Sequence, residues 1–250
     1  MPQNSKNILH LPKVDSTNNY AMALIENKQA LDELTVVTNE QFSGKGRHGN
    51  QWLSKNGENV MLSLILNMSW LPLKRQFELS AAISLAVCKF LERKTTEKVY
   101  IKWPNDIFIN DSKAAGILIE NKIKGTLWQW AVAGVGCNIN QVDFSKLNKV
   151  QVTSLKKETG LDYKIEEMVD ELRSELIENV NGLKQEQFLE ILSDYNKRLY
   201  GKDEKVIFRK NDQELDMTIM SVTREGKLVV FEETEKIYDF DEIKFLRKLS

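Results

Sequence analysis

The spacing of apolar residues divides the chain into a strand-rich body, a helical pair and a terminal run of short strands. Ser16 and Thr17 are each suited to cap a helix, and Tyr20, Ala21, Leu24 and Ile25 recur behind them at helical spacing, which predicts a helix to about Lys28. Residues 34–38 read as a strand, 59–66 as a second β-type run, and about 74–93 as a long amphipathic helix. Four short apolar runs follow, at 99–102, 107–110, 115–120 and 128–135. Turn-forming segments break them at Trp103-Pro-Asn-Asp106, Asp111-Ser112 and 122–125, the pattern of an antiparallel meander. Helices are predicted over 165–180 and 186–199, and from Lys205 a row of strands at 206–208, 217–222, 228–231 and 237–240 ends near Leu249. The expected fold class is α+β: a mixed or antiparallel sheet with helices over residues 1–202 and a small barrel over 203–250, divided near Gly201.

Composition narrows the partners. The chain has 250 residues, 42% of them hydrophobic, enough for one large core with a small unit beside it. Its 35 basic and 36 acidic residues give a net charge of -1, so no global field draws it to nucleic acid or to an anionic membrane, and any anion site must be local. The two cysteines, Cys88 and Cys137, sit in apolar runs without a neighbouring Cys or His at metal spacing, as buried free thiols of a reducing compartment do. The first six residues have no apolar signal-peptide core and no uncharged run spans a bilayer, so a cytoplasmic protein is expected.

Five local clusters carry candidate chemistry. Gly44-Lys-Gly-Arg-His-Gly49 fits the dinucleotide-binding spacing, but that motif must open into a helix, and here a strand follows. What remains is a mobile segment with three glycines, the cations Lys45 and Arg47, Trp52 after it and Gln41 before it, able to bring backbone N–H groups and a guanidinium to an anion. A solvated loop with incidental charge is the plainer alternative. Lys102-Trp-Pro-Asn-Asp106 concentrates a cation, an aromatic ring, a proline, an amide and a carboxylate in one turn, which a purely structural turn does not need. Lys113 stands at the mouth of a buried strand with Gly116 leaving room for a ligand against the backbone, although a surface lysine with a buried stem would look the same. Gly134-Val-Gly-Cys-Asn-Ile-Asn140 ends a strand with two glycines and two amides, fit to read a planar polar ring or to form a bulge. Asp15-Ser-Thr-Asn18 serves equally as a helix cap or as a set of ligand hydroxyls.

In this order and combination, Asp15–Asn18, Gln41 with 44–52, 102–106, 113–120 and 134–140 resemble the biotin–protein ligase family over about residues 8–155. The resemblance implies a class II synthetase-like catalytic domain with a small C-terminal SH3-like β-barrel. It also implies two half-reactions: biotin and ATP, with Mg2+, give biotinyl-5'-AMP and pyrophosphate, and a lysine of a biotin carboxyl carrier protein then attacks the mixed anhydride. By the same resemblance Ser16, Thr17 and Gln41 bind the biotin head, Asn18 braces the pocket, and Gly44, Lys45, Gly46 and Arg47 fold over biotin and phosphate while Gly116 and Gly134 admit the ligand. Lys113 neutralises the biotin carboxylate and the charge developing on the α-phosphate, with Lys102 assisting. Trp52, Asn105 and Asn138 face the nucleotide, and Asp106 orients or deprotonates the acceptor lysine.

The lid departs from the family's usual Gly-Arg-Gly-Arg-Arg-Gly-Arg, since Lys45, His48 and Asn50 stand at three of its arginines, which weakens the phosphate grip. The adenine-covering loop falls in 141–153 without a clear match, with Phe144 as a stacking candidate. Too few residues precede Ser16 for a DNA-binding module, so a monofunctional enzyme without nucleic-acid or membrane partners is expected, with an isologous homodimer through an edge strand as a further expectation. The rivals are a lipoate or octanoate ligase, whose triple-glycine segment the sequence lacks, and a non-catalytic biotin-binding module, which needs no phosphate cations.

Overall fold

The computed structural model of the protein describes residues 7–145 and 151–248; the first six residues, part of the 141–153 stretch and the last two residues lie outside the described residues. Seven strands form the main sheet: β1 (Ile8–Leu11), β2 (Thr35–Thr38), β3 (Asn59–Asn67), β4 (Val99–Lys102), β5 (Asp106–Ile109), β6 (Ser112–Lys124) and β7 (Leu127–Asn138). Their order is β1-β2-β3-β7-β6-β5-β4, with β1 parallel to β2 and every other pair antiparallel, so the expected meander is the β4–β7 half of the sheet.

Helices cover both faces of this sheet. Side chains alternate along a strand, so Leu64 and Leu66 of β3 join the main core while Ile65 between them joins a second cluster with Ala21 and Ile25 of α1 (Thr17–Glu26). That two-sided cover explains why β3 reads as an apolar run broken only by Ser63 between its polar ends. On the other face lies α2 (Gln76–Glu92), buried on nearly every side because α4 (Ile165–Lys184) and α5 (Phe188–Lys197) pack behind it. A short α3 (Leu155–Thr159), capped by Ser154 and closed by Gly160 at φ 74°, has too few residues to show a period in the sequence.

Five C-terminal strands make a second sheet: β8 (Lys205–Lys210), β9 (Gln213–Val222), β10 (Leu228–Phe231), β11 (Glu235–Tyr238) and β12 (Lys244–Lys248), in the order β11-β10-β9-β8-β12. The molecule is thus the expected α+β body with a small β unit behind it. The β9–β10 turn is anchored to the body: Trp103 Nε1 donates to the Gly226 carbonyl at 2.9 Å, and Arg224 lies 3.3 Å from the buried carboxylate of Glu78. Trp103 therefore has a structural task in its turn, where the Trp103–Pro104 peptide is cis. The strand expected at 237–240 ends at Tyr238, because residues 239–242 close a turn in which Glu242 N–H donates to the Asp239 carbonyl at 3.0 Å and the Glu242 carboxylate accepts from Asp239 N–H at 2.7 Å. This turn releases Phe240 from the sheet. The first helix likewise ends at Glu26, not Lys28, since Lys28 takes a left-handed φ of 58°.

Candidate active site

The period of two along β6 and β7 sets Gly116 and Leu118 beside Gly136 and Gly134, on the same face of the sheet as Ser63 and α1. Small residues there leave a hollow of about 260 Å³. The bareness is required, because a Cβ at Gly134 would run into the Asn18 amide and one at Gly136 into the Trp52 indole.

Neutral polar groups form one end of the hollow. Ser16 is the N-terminal flanking residue of α1 but its side chain makes no capping bond, and it is buried against the cavity with Thr17 and Asn18. Thr17 N–H donates to Gln41 Oε1 at 2.7 Å, and Ser63 Oγ lies 2.8 Å from Thr17 Oγ1 and 2.6 Å from Asn18 Oδ1. Asn18 Nδ2 donates to Glu120 at 2.7 Å, so Thr17, Asn18 and Ser63 are held in orientation before any ligand arrives.

Cations line the other end. The glycine segment, expected to be mobile, is folded into a closed hairpin: Lys45 bridges Gln51, Gly46 N–H donates to the Asn50 carbonyl at 2.7 Å, and Trp52 N–H donates to the Gly44 carbonyl at 2.9 Å. Gly49 supplies the positive φ of 76° at the hairpin's 3-10 turn. Arg47 reaches from that turn across the cavity, its Nη1 3.3 Å from Asn105 Oδ1 and its Cζ 4.2 Å from the ring centre of Phe240. Burial lowers its pKa from the usual value, opposed by Asp241, Asp106 and Tyr195.

Lys113 faces the same space because of a β-bulge. Ile107 pairs with Ala115 but Phe108 pairs with Lys113, so Ala114 is an extra residue, and it turns Lys113 onto the face that carries Gly116. Residues 151–153 fix its backbone, since Lys113 N–H donates to the Gln151 carbonyl at 2.9 Å and Thr153 N–H donates to the Lys113 carbonyl at 3.0 Å. The Lys113 ammonium lies 2.6 Å from Asp106 and 5.8 Å from the Trp52 ring centre. Trp52 Nε1 is buried without a hydrogen-bond partner among the described residues.

Of the residues singled out in the sequence, Ser16, Thr17, Asn18, Gln41, Lys45, Gly46, Arg47, Trp52, Asn105, Asp106, Lys113, Gly116 and Gly134 line this one cavity. Gly44 stands just behind, where a Cβ would fall 2.5 Å from the Trp52 carbonyl. Lys102 and Asn138 do not line it. The Lys102 ammonium lies between Phe108 at 4.8 Å and Phe245 at 4.4 Å, and burial there lowers its pKa. Asn138 is buried with its Nδ2 donating to the Thr153 carbonyl at 3.0 Å, and Asn105 Nδ2 is likewise spent on the Ile117 carbonyl at 2.7 Å. Asn50, Gln51 and Phe240 line the cavity without having been singled out for it. The first two adjoin the glycine motif and were within reach of the sequence reading; Phe240 comes from the far end of the chain with no local signal. Phe144 has the Lys157 ammonium 5.6 Å from its ring centre.

Comparison with known proteins agrees with this geometry. Residues 11–138, more than half of the chain, match the model of the family described as biotin/lipoate A/B protein ligase. The bifunctional ligase/repressor BirA of Bacillus subtilis is 35% identical over 138 residues, covering 54% of this chain and 42% of that protein. The biotin–[acetyl-CoA-carboxylase] ligase of Paracoccus denitrificans is 34% identical over 130 residues, 52% of this chain and 53% of that one. The chain thus spans about half the length of these relatives. Among solved structures, the biotin protein ligase of Aquifex aeolicus in complex with biotin and ATP superimposes with a TM-score of 0.81 at 25% identity, over 97% of this chain and 99% of that one. With its fold, its glycine-floored cavity and the family match all falling on the same stretch of sequence, this chain belongs to the biotin/lipoate A/B protein ligase family.

Proposed function

We propose that the chain is an ATP-dependent biotin–protein ligase that forms biotinyl-5'-AMP and transfers biotin to a lysine of a biotin carboxyl carrier domain. One observation carries this reading: Arg47 and Lys113, from separate stretches of chain, share a cavity with the Ser16 hydroxyl and the hydrogen-bonded Thr17 and Gln41 side chains. The neutral end suits a ureido ring, which needs both donors and acceptors, and the cationic end suits a carboxylate meeting a phosphate.

In the first step a biotin carboxylate oxygen attacks the α-phosphorus of ATP, the α–β phosphoanhydride breaks, and pyrophosphate leaves. Lys113 and Arg47 offset the charge that gathers on the α-phosphoryl oxygens, in fixed positions that need no reorganisation. The glycine hairpin carrying Arg47 excludes water from the anhydride. In the second step the acceptor amine attacks the acyl carbon, AMP leaves, and Asp106 takes up or orients the amine proton. In this reading Trp52 Nε1, buried and without a hydrogen-bond partner among the described residues, is the donor to a ligand oxygen. Lys102, held between Phe108 and Phe245, supports the phosphates only through its field, and Asn138 acts by fixing Thr153. Among the described residues no group of three or more His, Cys, Asp or Glu side chains converges to hold a metal ion. Magnesium would be carried by nucleotide phosphates and water, as that ion's reluctance to dehydrate favours.

The same reading assigns a carrier domain of acetyl-CoA carboxylase or a related carboxylase as the partner, a functional division of the chain at residues 202 and 203, and homodimer formation through an edge strand. Among the described residues no helix is long and apolar enough to cross a membrane, and both cysteines are buried free thiols, in keeping with the reducing cytoplasm.

The test is exchange of labelled pyrophosphate into ATP with biotin, lipoate or octanoate, followed by transfer to a carrier domain. Biotin-dependent exchange and transfer are expected. Exchange with lipoate but not biotin would overturn the substrate, and biotin binding without exchange would leave only a binding module.

A further inference from the structure

Phe240 lies at the far end of the chain from the catalytic motifs, on the turn between β11 and β12, yet its ring borders the cavity. Among the described residues it is the sole contribution of the C-terminal sheet to that lining. The turn that presents it is closed on itself by the bonds between Asp239 and Glu242, and Lys227 ties it to β10 through a 2.9 Å ion pair with Asp239. Through the Trp103–Gly226 and Arg224–Glu78 contacts the same sheet is anchored to the body, so the ring has a fixed address. The Arg47 guanidinium meets that ring at 4.2 Å, close enough for the ring quadrupole to hold it. Asn105 holds Nη1 at 3.3 Å from the body side. A guanidinium at the tip of a glycine hairpin has many rotamers to lose, and a planar face is a partner that fixes it while leaving N–H donors for a ligand.

Resting on the ligase reading above, we propose that Phe240 is a positioning residue: it clamps the Arg47 guanidinium over the cavity and so makes the C-terminal sheet a working part of nucleotide binding. It touches no reacting atom. Its effect on nucleotide binding passes through Arg47.

The experiment compares the full chain with F240L, which keeps an apolar wall but removes the aromatic face, and F240Y, which keeps the face. Two readouts are taken: the rate at which trypsin nicks the unliganded hairpin after Lys45 and Arg47, and KM for ATP against kcat in biotin-dependent pyrophosphate exchange. Loss of one such contact corresponds to about a fivefold change. F240L is expected to be nicked about that much faster and to show a KM for ATP raised by about the same factor with kcat little changed, and F240Y to behave as the parent. Parental nicking and KM in F240L would overturn the proposal, as would equal damage in F240L and F240Y, or faster nicking with an unchanged KM. If the parent itself shows no biotin-dependent exchange, the ligase reading fails, while the nicking comparison still decides whether the clamp exists.

Discussion

The Lys113 ammonium lies 2.6 Å from the Asp106 carboxylate, so the cation offered by β6 and the carboxylate that opens β5 face the cavity as a pair. Under the proposed ligase function the two half-reactions divide between them. Lys113→Ala is expected to lower biotin-dependent pyrophosphate exchange by about 100-fold or more, the usual cost of removing a fixed transition-state donor. Asp106→Asn keeps the shape and is expected to slow transfer from isolated biotinyl-5'-AMP to the carrier by about 100-fold while exchange falls far less. Single-turnover assays of each half-reaction separate the two, and equal losses in both would contradict the division.

Arg47→Ala is expected to release adenylate to solvent. In a rapid-filtration assay the fraction of biotinyl-5'-AMP retained by the protein falls, although it still forms. Full retention by this variant would remove the hairpin from the mechanism.

The floor of the cavity is expected to reject side chains in two different ways. At Gly134 a Cβ would strike Asn18, which is buried and bonded to Ser63 and Glu120, so Gly134→Ala should cost about 1–3 kcal/mol in urea unfolding as well as biotin affinity. At Gly136 the obstacle is the Trp52 indole, which belongs to the cavity lining and not to the buried hydrogen-bond network around Asn18. Gly136→Ala should therefore leave unfolding nearly unchanged and weaken ligand binding. Calorimetry with biotin and urea titration on each variant check both statements.

Burial between two aromatic rings lowers the Lys102 pKa below its usual 10.5. Between that lowered value and 10.5 the unfolded chain binds more protons at this site than the folded one, so the group makes stability rise with pH across that window. Lys102→Met lacks the effect. The urea midpoint of the parent relative to this variant is expected to climb as pH is raised towards 10.5, and a constant difference would show that the folded and unfolded values coincide.

What was legible in the sequence was what neighbours in sequence determine. Ser16 to Asn18, Gln41, the glycine hairpin, Gly116 and Gly134 each sit in a short motif whose geometry is set by one turn or one strand, and all border the cavity or its rear wall. Lys102 lies outside this lining because its surroundings include Phe245, which arrives from the second sheet. Asn138 lies outside it too, its amide donating to the Thr153 carbonyl, a partner that no local pattern announces. The bulge at Ala114 was equally hidden: on a regular strand Lys113 and Gly116 would point to opposite faces, and only the extra residue brings them together. Phe240 escaped for the same reason as Lys102, since its role depends on how two sheets meet.

The most direct measurement of whether Arg47 and Lys113 act on one anion is a double-mutant cycle on the affinity for a non-hydrolysable biotin–adenylate phosphate ester. Arg47→Gln, Lys113→Gln and the double variant are titrated calorimetrically. Two cations sharing one phosphate should show a coupling of about 1 kcal/mol or more. Losses that add within about 0.3 kcal/mol would place the two side chains on separate charges and contradict the mechanism.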